Sequence, residues 1–198
     1  MNKQILGTVL LAATLGFSSM TAVQAAPEKF TLDSAHAYPY FEINHLGWST
    51  MRGFFRKVAG TATLDFAAKQ GSAEITIDAT SLDTGDAKRN EHLSGEDFFN
   101  VAKYPTITFK SDKLTFDGDK LTKADGQLTL HGVTKPITLT FTQFKCGDHP
   151  LNKKYYCAGD ATATLKRSDF GMTAYPTAVG EQVKLSIEVE AAREAKSQ

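Results

Sequence analysis

From residue 29 onward the chain alternates apolar and polar residues with a period of two, run after run. "KFTLDSA" opens the pattern, and "YPYFEINHL" follows with Pro39, Phe41, Ile43 and His45 on one parity. "GTATLDF" sets Ala62, Leu64 and Phe66 together, and "SAEITIDAT" does the same for Ala73, Ile75, Ile77 and Ala79. "TITFKSDKLTF" aligns Ile107, Phe109 and Ser111. "QLTLHGVTKPITLTFTQFK" holds two such runs, with Leu128, Leu130, Leu139 and Phe141 pointing one way. "AGDATATLK" contributes Ala161, Ala163 and Leu165, and "EQVKLSIEVEA" contributes Val183, Leu185, Ile187 and Val189. Successive side chains of a strand point to opposite faces, so each run predicts a strand with one apolar face. Turn signals fall at Asp117-Gly118-Asp119, Asp125-Gly126 and Lys135-Pro136.

Two segments break the rhythm. "DTGDAKRNEHLSGEDFFNVAKYP" predicts a short helical insert near residues 86–99. Gly85 opens it, Asp86 to Leu93 fits two helical turns, and Ser94 with Asp97 has the spacing of a capping box before Phe98-Phe99. Pro105 ends it. The second break, "LGWSTMRGFF", gathers Trp48, Met51, Phe54 and Phe55 around Gly47 and Gly53.

Several short strands, each apolar on one side, need a shared interior. A sandwich or a barrel supplies one, and about eight strands with a small helical insert favour an all-β, antiparallel barrel. At roughly eight strands a barrel interior is either filled by side chains or holds one small ligand. Ala62, Ala73, Ala79, Gly126, Gly132, Ala161 and Ala163 are expected to face inward. Small residues among Phe, Leu and Ile fit interdigitated packing and fit empty space equally well, so the pattern leaves that choice open.

Charge and composition narrow the function. Lys+Arg and Asp+Glu both number 22, for a formal charge of zero. No basic surplus exists to neutralise phosphates, so nucleic acid is not expected as a partner. The first residues read as an export signal: a positive start at Lys3, an apolar run from Ile5 to Phe17, and small residues in "SSMTAVQAA" with a cut after Ala25. The apolar run is too short to span a bilayer. The expected organisation is a cleaved signal peptide, residues 1–25, and a single domain, residues 26–198, working in the periplasm.

The cysteines agree with export. Cys146 and Cys157 bracket the polar loop "GDHPLNKKYY" between two strand-like runs. In an oxidising compartment they pair and staple the hairpin; without a second pair they make a poor zinc site. The histidines His36, His45, His92, His131 and His149 form no dense ligand spacing, so no metal site is expected. No nucleophile elbow or phosphate loop appears, and an enzyme reading has only His36 or His45 to lean on. Arg52, Arg89 and Arg167 each adjoin apolar residues. They are read either as solvated or locally paired side chains, or as a polar rim around a ligand head group.

At this point several blocks resemble the YceI-like proteins. "TLDSAHAYPYFEINHLGWSTMRGFF" resembles the family's opening, with Asp33, His36, Phe41, His45-Leu46, Ser49-Thr50 and Arg52-Gly53. "LDTGDAKRNEHLSGEDFFNVAKYPTITFKS" is similar to its central signature, "GQLTLHGVTKPITL" to its third block, and "LKRSDFGM" with "VGEQVKLSIEVEA" to its end. The blocks keep the family's order and cover almost all of residues 26–198. The resemblance implies a lipocalin-like barrel, not an enzyme, holding a polyisoprenoid, an isoprenoid quinone or a similar long-chain amphiphile in its lumen. It implies stress-linked members and no cofactor beyond the bound lipid. A transient membrane contact is compatible with such a role, and the oligomeric state stays open, a homodimer included.

Placed on such a barrel, the alternation assigns Phe41, Ile43, Ile75, Ile77, Phe109 and Leu128 to the lumen wall, together with Leu130, Leu139, Phe141, Leu165, Leu185 and Ile187. Trp48, Met51, Leu93, Phe98, Phe99 and Phe170 are assigned to lining or gating an opening. A slip of one residue would turn a whole strand's set to the other face.

Overall fold

A computed structural model describes residues 26–195. The elements run in the order β1 (Glu28–His45), β2 (Ser49–Phe55), β3 (Val58–Asp65), β4 (Gln70–Asp78), β5 (Leu82–Asp83), α1 (Ala87–Ser94), β6 (Thr106–Asp117), β7 (Lys120–Leu130), β8 (Val133–Asp148), β9 (Tyr155–Lys166) and β10 (Val179–Arg193). The cleavage expected after Ala25 lies outside the described residues.

The sheet is antiparallel and closes on itself. Its order is β10-β9-β8-β7-β6-β4-β3-β1, and β10 returns to pair with β1. That makes a closed eight-stranded barrel, as the alternation predicts, and closure removes the unpaired edges of an open sheet. β2 and β5 extend the wall at one end. The first half of β1 pairs with β3, from Glu28↔Leu64 to Thr31↔Thr61. Its second half pairs with β2, from Tyr40↔Phe54 to His45↔Ser49.

Several local expectations are corrected. The runs "KFTLDSA" and "YPYFEINHL" form one strand, β1, whose pairing with β10 jumps between Leu32 and Ala37. Residues 33–36 bulge there, and Asp33 accepts from the Ala35 amide at 3.0 Å. Asp125-Gly126 is not a turn but part of β7. Gly126 is used for close approach: a Cβ there would stand 2.6 Å from Cε2 of Phe109. Lys135-Pro136 is not a turn either; it lies within β8. β8 pairs with β9 only from Thr140 onward, so Pro136 sits where the strand has one neighbour and tolerates a missing donor. The actual β7–β8 turn is His131-Gly132, both at positive φ. Within "LGWSTMRGFF", residues 49–55 form β2 rather than a break.

The helical insert is shorter than expected. α1 spans Ala87–Ser94, capped by Asp86, whose side chain accepts from the Arg89 amide. The Ser94–Asp97 capping box does not form. Ser94 Oγ instead donates back to the Asn90 carbonyl at 2.8 Å, a bond that turns the hydroxyl toward the preceding helical turn. Residues 95–104 fold as turns, held by bonds such as Phe99 N to Leu93 O at 2.9 Å.

The apolar interior falls into two clusters, one toward each end of the barrel. The helix end contains Phe41, Phe55, Leu82, Ile107, Leu130, Leu165, Phe170 and Met172. The opposite end contains Phe30, Leu64, Leu114, Leu121, Ala124, Cys157 and Ala191, with Phe66, Phe116, Phe144 and Tyr155 packed against them. Cys146 and Cys157 are directly paired across β8 and β9 and form a disulfide, so this is the stapled end.

Candidate binding cavity

The lumen is hollow. A single cavity of about 630 Å³ runs inside the barrel, lined almost entirely by apolar side chains. The inward residues of β10 (Val183, Leu185, Ile187 and Val189) are only half-buried although they point inward, because they face this space. Two phenylalanines of the wall lie flat over glycines of the neighbouring strand. Phe109 of β6 covers Gly126 of β7, and Phe41 of β1 covers Gly53 of β2, each where a Cβ would collide with the ring. Any larger residue at either glycine would push the ring toward the lumen.

The cavity's two ends differ. At the stapled end it stops at Leu114, Leu121, Phe144 and Cys157. Beyond them Phe66 and Phe116 pack edge to face with centroids 6.1 Å apart. At the helix end the exposed lining residues gather: Asn44, Arg52, Lys88, His92 and Tyr175. This is the mouth. Its rim includes a ring group in which Tyr175 stacks on Phe98 at 5.8 Å and meets His92 at 5.7 Å.

The structure places the predicted residues as follows. Phe41, Ile43, Ile75, Ile77, Phe109, Leu128, Leu130, Leu139, Phe141, Leu165, Leu185 and Ile187 line the cavity, and Met51, Leu93, Phe98 and Phe99 line it toward the mouth. Trp48 and Phe170 do not. Trp48 is 92 % exposed at the tip of the β1–β2 loop. Phe170 is packed in the core at the helix end, and its carbonyl is 3.0 Å from Nδ1 of His131. Alternation misled here because both residues lie outside strands, where parity carries no direction.

Sequence reasoning left out Leu32, Val58, Leu114, Leu121, Ile137, Phe144, Val183 and Val189, which also line the cavity. Val183, Val189 and Ile137 share the parity of chosen neighbours and were legible. Leu114 and Phe144 were not. Each follows an irregularity, between Ser111 and Lys113 in β6 and between Phe141 and Gln143 in β8. A bulge adds one residue and reverses the parity beyond it.

The three arginines separate cleanly. Arg52 donates to Glu42 at 2.8 Å. Arg167 is 3 % exposed, and its guanidinium donates to the carbonyls of Gly180, Met172 and Val179 at 3.0, 2.7 and 3.1 Å. It is a strut that ties down the segment leading into β10. Of the three, Arg89 lines the mouth with no ion-pair partner among the described residues.

The histidines are not brought together. His36 sits in the β1 bulge, 3.0 Å from Asp33. The hydrogen bond to that carboxylate raises the imidazole above its ordinary value, and the same bond lowers Asp33. His45 lines the mouth at the far end of β1. Among the described residues no three His, Cys, Asp or Glu side chains converge as a metal site.

A closed barrel with an open mouth and a hollow apolar interior is a container for an apolar guest, in the class of small-molecule-binding β-barrels. The comparisons with known proteins make the class specific. The chain belongs to the YceI-like family: the model of the YceI-like domain matches residues 30–191. It is similar to protein YceI of Escherichia coli O157:H7, with 40% identity over 194 residues, covering 96% of this chain and 97% of that one. Its fold is similar to the crystal structure of BcnA from Burkholderia cenocepacia, with a TM-score of 0.67 and 26% identity over 80% of this chain and 98% of that chain. It is also similar in fold to a polyisoprenoid binding domain from Saccharophagus degradans implicated in plant cell wall breakdown. There the TM-score is 0.61, with 16% identity over 83% of this chain and 98% of that chain.

Proposed function

We propose that this protein is a periplasmic carrier that holds an isoprenoid lipid, a polyisoprenoid or an isoprenoid quinone, in its barrel lumen and performs no chemistry on it. The observation that carries this reading is the hollow apolar lumen of about 630 Å³. Membership of the YceI-like family supports it, as does the likeness in fold to a polyisoprenoid binding domain. The disulfide fits an oxidising compartment. Moving an apolar tail out of water contributes roughly 0.8 kcal/mol per methylene, so a long tail binds tightly with few hydrogen bonds. Selectivity for tail length is correspondingly loose, at about 1–3 kcal/mol per methylene. A filled barrel serving as a ligand-free stress module requires a packed lumen, and the lumen is empty space.

Loading is assigned to the helix end. The β1–β2 loop there projects Leu46, 55 % exposed, and Trp48, 92 % exposed. Leu46 is held at φ 57°, a left-handed conformation that costs a branched apolar residue about 1–2 kcal/mol. Tryptophan favours the headgroup level of a bilayer, so this loop is the proposed point of transient membrane contact. Trp48 is the single tryptophan of the chain, and its emission reports the contact directly. A blue shift on phospholipid vesicles is expected; an unchanged spectrum would remove the membrane from the reading.

The deciding experiment is native mass spectrometry of protein released gently from the periplasm, followed by solvent extraction. An added mass that extracts as an isoprenoid is the expected result. An unliganded mass, together with no uptake of quinones or polyprenols in vitro, would overturn the proposal. Ala62→Phe with Ala161→Phe, placing two rings into the lumen, is expected to abolish retention while the barrel still folds.

A further inference from the structure

We propose that the cavity distinguishes lipid head groups, and that Arg89 is the anchor for an oxyanion head, that of an isoprenyl phosphate. The inference rests on the lumen as the lipid site and adds what the mouth selects.

The chain carries no net charge, yet the lining of this cavity is one-sided. Arg52, Lys88, Arg89 and Arg167 all line it, against a single carboxylate, Glu188. Glu188 accepts from the Tyr40 hydroxyl at 3.3 Å along the β1–β10 wall, away from the mouth. Arg52 is neutralised by Glu42, and the donors of Arg167 are taken by three carbonyls. That leaves Arg89 with Lys88 beside it.

Arg89 is half-buried and preset. Its Nε donates to Thr84 Oγ1 at 2.9 Å, and Nη2 donates to the Thr84 carbonyl at 2.8 Å. Thr84 is itself fixed by Asn90, whose Oδ1 accepts from the Thr84 amide at 2.8 Å and its hydroxyl at 2.6 Å. The remaining edge of the guanidinium has one partner, the Met51 sulfur, 3.7 Å from Nη1. A thioether is a weak acceptor. The guanidinium's five N–H donors are therefore not spent, and the free ones lie where an apolar lining gives way to solvent. Carbonyl and alcohol heads can accept one hydrogen bond there. A phosphate monoester can accept two in parallel and also meets the uncompensated charge. The tail of such a molecule would run down the lumen from Met51 toward Leu128 and Ile187.

The test compares two probes with one tail, farnesol and farnesyl phosphate, displacing the apolar fluorophore N-phenylnaphthylamine from the full-length mature protein. Wild type is expected to take up the phosphate at about tenfold lower concentration than the alcohol, with the gap narrowing in salt. Arg89→Met is expected to close the gap by weakening the phosphate far more than the alcohol. Lys110→Met, which removes a cation that lies outside the cavity and pairs with Glu74, is expected to preserve it. Equal displacement by the two probes in wild type would overturn the anchor. So would a gap that survives Arg89→Met, or one lost equally in Lys110→Met. In each of those cases displacement by farnesol leaves the lumen reading standing. Failure of both probes would overturn the lumen reading, and the anchor with it. Should Arg89→Met melt below the assay temperature, Arg89→Gln replaces it in the same comparison.

Discussion

The two ends of this barrel are built from the same alternating strands and behave as opposites. At the stapled end, Phe30 is fully buried, and Phe66, Phe116, Phe144 and Tyr155 pack against the cluster it belongs to. The Cys146–Cys157 disulfide joins the β8–β9 hairpin, and Arg193 lies over Tyr155 at 4.2 Å while pairing with Glu28 at 2.9 Å. At the helix end the wall runs into turns, one short helix and a set of single-bond attachments. These include Leu46 N to Ala178 O at 2.7 Å and the bond of the Ser168 hydroxyl to Glu181. One end is closed by packing and a covalent bond; at the other an apolar cluster is bordered by turns and by polar contacts that water can replace. A container needs both, because the lumen must be sealed somewhere and reachable somewhere.

The largest effect expected from breaking this contrast comes at the floor. Phe30→Ala should cost about 3–5 kcal/mol, as for a fully buried aromatic. Leu185→Ala, on a wall that already faces space, should cost less than about 2 kcal/mol, below the usual range for a buried leucine. Denaturant melts of both variants measure the gap; equal losses would mean that the lumen is packed after all.

Next in size is the staple. Replacing both cysteines by alanine should lower stability by about 2–3 kcal/mol, the chain-entropy effect of opening so short a loop. Amide exchange should quicken around the β8–β9 hairpin and stay unchanged at α1. Quickening at α1 instead would show that the two ends are coupled.

The smallest effect is in acid. At the helix end Asp78 is held below its usual range by the Thr80 hydroxyl, Asp83 by the Gly85 amide and then Arg56, and Glu181 by the Ser168 hydroxyl. A carboxyl lowered on folding contributes stability that is complete above its unfolded value, near 4, and is lost as pH falls through the lower folded value. Below about pH 4, exchange protection should therefore fall most at residues 79–105 and 167–180, and less at the stapled end, where the Thr31 hydroxyl lowers Glu194. A uniform loss would remove the electrostatic part of the contrast.

Much of the wall was legible. Residues 183–189 kept strict alternation, and so did 75–77 and 128–130, because a half-buried strand has no other stable pattern. The bulges in β1, β6 and β8 were not legible. An extra residue is invisible until its partner strand is known, and Leu114 and Phe144 were lost with them. Alternation assigns Trp48 to lining or gating an opening, but it sits in a loop where parity carries no direction, and the loop geometry puts it in water. Arg52, Arg89 and Arg167 share one pair of readings in sequence, solvated or rim, and the fold gives them three different fates.

The sequence by itself determined an all-β barrel of about eight strands, the disulfide hairpin and most of the apolar face, since strand parity and cysteine spacing are local properties. Whether that face encloses a packed core or a cavity was a tertiary decision. It depends on how far apart closed strands hold opposite walls, and on rings such as Phe41 and Phe109 lying flat over glycines contributed by neighbouring strands.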